Sequence, residues 1–505
     1  MHELISGVYS VIILRMKTWL ARPIAVVLMF FVFIVQTWAT CGGGGGGGMG
    51  GMKSSGGNSS TGMPDTQTYP VPWKLIKPED PPLTSGLAVY WFPSSQTEID
   101  KSSLRNSRTL SLYAQQCVTM GIVDFRTALG QKFISGGDKT PVAVVAQADG
   151  KLIAKVENKD GFLQVEAVEK ALQTEIKQRE ETIKNKIKEA KDNVKAGDKD
   201  GAISLLRGVV DEKCLFPSRA KDAAKELKKL GVEVGQISDG PIFDPSRSKQ
   251  IEATMERGLK AELDAKYTDA EKLYAQAHHM DPADATPMRY LGELYRHHLG
   301  DWEKARKVFD EILAMQADPI SRAVALHGLG KMTIHEGEFK KGLALMESST
   351  KEYPLALAYR NLAVYWNSEG DGAKADHYVQ LALALDPHDP YNLIFAAASM
   401  GPDHAAEALK IAKDNEALLP ASYNLAAIYA QLGQKDKAIE LLKRHFFEYE
   451  RYQSVRSKEM MEARVDAVFS SLFKDPTFIA LTAGADGRLP LPAGYGMGVR
   501  QGGTR

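Results

Sequence analysis

The stretch RYLGELYRHHLGDWEKARKVFDEIL, residues 289–313, holds Leu291-Gly292, an aromatic at Tyr295, a glycine at Gly300 and an alanine at Ala305. The same pattern returns as Leu362-Ala363, Trp366, Gly370 and Ala375, and again as Leu425-Ala426, Tyr429, Gly433 and Ala438. Leu329-Gly330 with Gly337 is a weaker copy. Prolines at Pro282, Pro319, Pro354, Pro387 and Pro420 divide the copies at intervals of 33 to 37 residues, each at the end of an expected second helix. Self-similarity at that period marks an array of helical hairpins. Small residues let two antiparallel helices approach, aromatics fill the space between neighbouring pairs, and proline cannot continue a helix.

This pattern resembles the tetratricopeptide repeat (TPR). Five or six repeats are expected over residues 251–449, the copy between Asp389 and Pro420 being degenerate, with MGPDH where the turn should be. Residues 450–482 read as helices that cap the last apolar face, and 483–505 as a Gly/Pro tail. The resemblance implies a superhelix whose first helices line a concave, protein-binding groove. Carried onto this sequence, the candidate groove residues are Arg289, Arg296, His327, Lys331, Arg360 and Asn361, with Glu293 among them, a modestly basic and exposed stripe. The carboxylate-clamp subset of the family needs Lys or Arg and Asn at set places on three consecutive first helices. Glu293, Gly328 and Val364 break that pattern. The pairs His278-His279 and His297-His298 invite a metal reading, but the intervening helix separates them by roughly 15–20 Å at 1.5 Å per residue. The sequence therefore predicts no metal site and no cofactor.

Upstream, residues 177–235 are charged and helical, and Gly197 with Ala202, Leu205 and Leu206 suggests one degenerate TPR-like hairpin. Ahead of them, residues 87–176 begin with the apolar run LAVYWF and a helix over 98–115. The strand CVTMGIVDF follows, then the short helix RTALGQKF. A hairpin turning at Ala148-Asp149-Gly150-Lys151 comes next, and a helix from Leu163 closes the unit. This βαβαββα order, with Thr140-Pro141 before the hairpin, resembles thioredoxin-like domains, in which the proline of that pair is usually cis. The redox members of that family place CxxC where the first strand meets its helix, because a helix N-terminus holds the sulfur as thiolate. Here the junction reads PSSQTE, residues 93–98, without sulfur. Ser94 and Ser95 have no base, since no histidine lies between His2 and His278. Cys117 is expected to be a small core residue. The unit reads as a fold that has lost its reaction, and the chain as no enzyme.

At the N-terminus, residues 1–41 place Lys17 and Arg22 before an uncharged apolar run over 24–35, the length of a secretory core and short for a membrane span. The run ends in QTWATC and seven glycines. It resembles a bacterial lipoprotein signal, which implies lipidation at Cys41; Trp38 and Thr40 depart from the usual residues, and either Met1 or Met16 could be the start. Residues 42–86 are Gly/Ser-rich and then Pro-rich, a spacer from which Trp73, Leu75 and Ile76 could dock on the next domain. The three cysteines make neither a disulfide framework nor a clustered ligand set. With 63 basic and 63 acidic residues there is no electrostatic case for nucleic acid.

The sequence thus predicts a multidomain chain, an α/β thioredoxin-like domain followed by an all-α TPR superhelix. The expected function is a non-catalytic scaffold, lipid-anchored in the bacterial cell envelope at the outer membrane facing the periplasm, that binds a partner protein. The alternatives are an accessory of thiol-disulfide or cytochrome-maturation chemistry, and a secretion or envelope-assembly lipoprotein.

Overall fold

In the computed structural model the described residues run from 67 to 483, apart from 82, 84–85, 136–137, 238–246, 388, 400–401, 451–452 and 465. The lipoprotein-type segment with Cys41, the glycine tether and the tail from 484 lie outside the described residues.

Five strands form a mixed sheet: β1 Lys74–Leu75, β2 Leu87–Phe92, β3 Val118–Ile122, β4 Val142–Gln147 and β5 Leu152–Glu157, in the order β1-β3-β2-β4-β5. The apolar run of β2 is buried on both faces, which its central place requires: it pairs parallel with β3 and antiparallel with β4. Alternation sorts its side chains. Leu87, Val89 and Trp91 join one core and Ala88, Tyr90 and Phe92 another. The Thr140–Pro141 peptide is cis.

Instead of one helix over 98–115, two short ones form, α1 Gln96–Lys101 and α2 Arg108–Ala114. Serines cause the break. Ser102 accepts from the Leu104 amide and caps a 3-10 turn, Ser103–Arg105, and Ser107 accepts from the Leu110 amide and caps α2. A third, α3 Ala128–Phe133, precedes the hairpin.

Three helices follow: α4 Val165–Lys195, α5 Lys199–Val210 and α6 Pro217–Lys229. The expected boundary at 176 is corrected, because α4 is continuous through it. Val168 and Leu172 of α4 share one core with the sheet, and Ile183 and Ala190 share the same core with Ala202, Leu206 and Leu227 of the hairpin. The spacer also ends earlier than residue 86. Tyr69 is buried, Pro70 bridges Asn106, and Trp73 meets Trp91 edge-on at 5.3 Å while its Nε1 donates to the Leu104 carbonyl. Ile76 packs as expected; Leu75 remains exposed.

Twelve helices then make six hairpins among the described residues: α7 Ser248–Leu263 with α8 Tyr267–Met280, α9 Thr286–Glu293 with α10 Trp302–Ala314, α11 Pro319–His335 with α12 Phe339–Glu352, α13 Ala356–Ser368 with α14 Gly372–Leu385, α15 Pro390–Ala398 with α16 Ala405–Asp414, and α17 Ser422–Gln431 with α18 Lys435–Arg444. First helices pack in series, α9 on α11 and α13 on α15 on α17. Pro319 is the first residue of α11, and Pro354 and Pro420 stand just ahead of α13 and α17. These prolines therefore open the next helix, where a missing N–H costs nothing, more than they stop the last one. Helix α19 Gln453–Ala463, a 3-10 turn at Ala467–Leu472 and α20 Pro476–Thr482 end the described chain. Phe469, Leu472, Phe478 and Leu481 pack into the core of α17 and α18.

Backbones approach closely within the third hairpin. A Cβ on Gly342 would stand 2.5 Å from the Gly330 carbonyl oxygen, and one on Gly330 would stand 2.8 Å from that of Gly342. In an isolated helix alanine outranks glycine by about 1 kcal/mol. Here the sign reverses: Gly342→Ala should destabilise by about 1–3 kcal/mol, because backbone must move to admit the methyl. Urea denaturation checks this, and an unchanged or raised midpoint would refute the close-approach argument.

Candidate functional site

The six candidate groove residues share one stripe of the first helices but are not an exposed basic surface. Arg289 is 1% exposed and Lys331 6%, and Arg296, His327, Arg360 and Asn361 are likewise buried. Two arrangements account for this correction. One is a ladder between neighbouring first helices: the His327 and Asn361 side chains meet at 2.7 Å, and Arg360 donates to Asn392 Oδ1 at 2.6 Å. Arg296 is held by Glu293 through two hydrogen bonds of 2.9 and 2.6 Å, so the acidic residue that breaks the clamp pattern neutralises its neighbour.

The other arrangement is cover supplied by the chain itself. At one end Arg289 donates to the Thr68 carbonyl at 3.2 Å and Tyr290 to that of Gln67. Farther along, the C-terminal segment brings buried Glu450, Arg456, Glu459 and Glu462 to the stripe. His297 Nδ1 lies 3.8 Å from Glu450 Oε1, and His335 Nδ1 3.3 Å from Glu462 Oε1. His445 Nε2 lies 2.7 Å from Glu459. Burial, with Arg296 and Lys331 nearby, holds the His297 and His327 imidazoles well below their usual range and therefore neutral. Burial and the Glu459 carboxylate push Glu450 well above the ordinary range.

His297 has potential ligands other than the second histidine pair. With Glu450 and Glu459 it forms a group whose ligand atoms lie within 4.8 Å of one another. His298 instead stacks on Tyr267 and faces Glu262 at 3.5 Å. No local signal in the sequence marks Glu450 or Glu459, which lie more than 150 residues downstream of His297.

A second polar cluster joins the sheet region to the repeats. Arg108, fully buried at the start of α2, donates to Asp284 Oδ2 at 2.9 Å and Ser248 Oγ at 3.0 Å, and pairs with Asp281. Tyr69 donates to the same Asp284 at 2.7 Å. At the strand-helix junction, Ser95 accepts from the Glu98 amide as an ordinary cap. Cys117 is not a free core thiol: it forms a disulfide with Cys214, Cα to Cα 5.8 Å across 97 residues, correcting the expectation of unpaired cysteines.

The tetratricopeptide-repeat family profiles match residues 263–330 and 420–444. Protein CTR9 homolog of Arabidopsis thaliana is 24% identical over 229 residues, covering 35% of this chain and 21% of the relative; the chain thus spans about a fifth of that protein's length. Among solved structures, MamA is similar at 16% identity over 37% of this chain and 91% of that one, with a TM-score of 0.22. A thermophilic TPR protein of Thermus thermophilus is similar at 15% identity over 43% of this chain and 98% of that one, with a TM-score of 0.26. The matched stretches and the helical hairpins together define a chain that carries TPR repeats behind a small mixed-sheet region. Repeats of this kind are a protein-interaction scaffold.

Proposed function

We propose that the chain is a non-catalytic scaffold of the bacterial cell envelope, tethered by lipid at Cys41, whose TPR groove takes a partner protein in place of its own C-terminal segment. The observation that carries this reading is the covered stripe: Glu450 faces His297 with Arg296 and Lys331 nearby, and Glu462 faces His335, as an acidic segment would. The partner segment is accordingly acidic and helical, and it competes with α19. The strand order and the sulfur-free junction support a thioredoxin-like domain kept for packing. The Cys117–Cys214 disulfide supports a location outside the reducing cytoplasm.

The groove reading is tested by a lock. His335→Cys with Glu462→Cys would tie α19 to α11, where the native side chains approach to 3.3 Å. In native membranes the oxidised double variant should lose the partner crosslinked by the wild type and regain it on mild reduction. Retention of every partner by the locked protein would place binding on another surface. The anchor is tested separately: Cys41→Ser should release the protein from the membrane fraction, and unchanged fractionation would remove the lipid from this account.

A further inference from the structure

We propose that His297, Glu450 and Glu459 form a binding site for one divalent transition-metal ion of the zinc or manganese class. Nothing in the partner reading above is needed for it. The three ligand atoms lie within 4.8 Å of one another and all three residues are buried. His297 Nδ1 and Glu450 Oε1 face each other at 3.8 Å, and neither makes a hydrogen bond among the described residues. A buried polar atom without a partner costs about 1–3 kcal/mol, so two turned toward one point indicate a missing third body.

The local backbone is built for this convergence. His297 lies in a π-helical turn, Leu294–Leu299, and Glu450 directly follows another, His445–Tyr449. Such turns are rare and concentrate at functional sites. The His297 and Tyr449 rings, one from each turn, stand 6.1 Å apart. Ligands of one zinc ion, at about 2.0–2.2 Å from the metal, are about 3–4 Å from each other, so closing the site needs only small side-chain movements. One imidazole with two carboxylates suits zinc or manganese, whereas magnesium and calcium prefer oxygen alone. His445, 2.7 Å from Glu459 Oε2, orients that carboxylate as an outer-shell partner. Lys331 and Arg456 also act on Glu450 and oppose a cation, which limits affinity. An ion here would join the turn after α9 to the segment leading into α19.

The experiment uses the full chain after chelator dialysis, titrated calorimetrically with Zn²⁺ and with Mn²⁺, and with Mg²⁺ as control. The wild type should bind one Zn²⁺, and Glu450→Gln and Glu459→Gln, which keep side-chain shape, should each weaken binding at least tenfold. Lys331→Met should tighten it by removing repulsion, a gain that loss of a purely structural ion pair would not produce. His278→Ala with His279→Ala should change nothing. Should the Gln variants not fold, Co²⁺ on the wild type still decides: visible bands of a nitrogen and oxygen site are expected. No zinc binding by the wild type, or unchanged affinity in the folded Glu450→Gln, Glu459→Gln double variant, would overturn the proposal.

Discussion

Arg108→Met should destabilise the chain by about 3–5 kcal/mol, the loss typical when one partner of a buried ion pair is removed. The methionine fills the volume but leaves Asp284, itself 3% exposed, without the guanidinium that compensates it. Asp281 loses its partner too, and the Ser248 hydroxyl loses a donor. Tyr69 still donates to Asp284, but a neutral phenol does not replace the guanidinium's positive charge beside a buried carboxylate. Lysine would not rescue, because it offers a point charge where Nε, Nη1 and Nη2 each serve a different partner. Adding Asp284→Asn to Arg108→Met should recover part of the loss, since the stranded charge is then gone. Urea midpoints of the two variants measure this, and a single-variant loss under about 1 kcal/mol would mean that the seam is more hydrated than its burial indicates.

What was legible in the sequence acts over short range. Leu291-Gly292 returns as Leu329-Gly330 because each hairpin solves the same packing problem. The uniformly apolar run over 87–92 already marks a strand. Arg108 had no such signal, since its partners lie 140 to 176 residues away along the chain. The groove residues failed for a related reason. A charged stripe on a helix reads as exposed because Lys, Arg and Glu are seldom fully buried unless paired. Only the tertiary fold shows Thr68 and Glu450 returning to cover it. Ser102 and Ser107 cap only because the backbone is extended at each, and that conformation leaves no mark in the apolar spacing that runs across them.

The disulfide was illegible on the same grounds, and its removal is the second large effect expected. Cys117 immediately precedes β3 and Cys214 follows α5, so the bond ties the sheet to the helical hairpin across 97 residues. Closing a loop of that size in the unfolded chain is worth about 4.7 kcal/mol on chain-entropy grounds, and native disulfides typically contribute about 2–5 kcal/mol. The Cα separation of 5.8 Å falls within the ordinary range, so neither backbone must move to make the bond. Cys117→Ser with Cys214→Ser should therefore lower stability by about 2–5 kcal/mol, and a reductant should do the same to the wild type but nothing further to the double variant. The core shared by Leu172, Ile183, Leu206 and Leu227 remains intact, so the variant should still fold. Its weakened part should be the hairpin α5–α6, seen as faster amide exchange there than in the distant repeats α13 to α18. Alkylation of the native protein decides the premise: Cys214 is exposed, so it should resist labelling only because it is bonded. Rapid labelling of Cys214 without reductant would show that the sheet and the hairpin are held by packing alone.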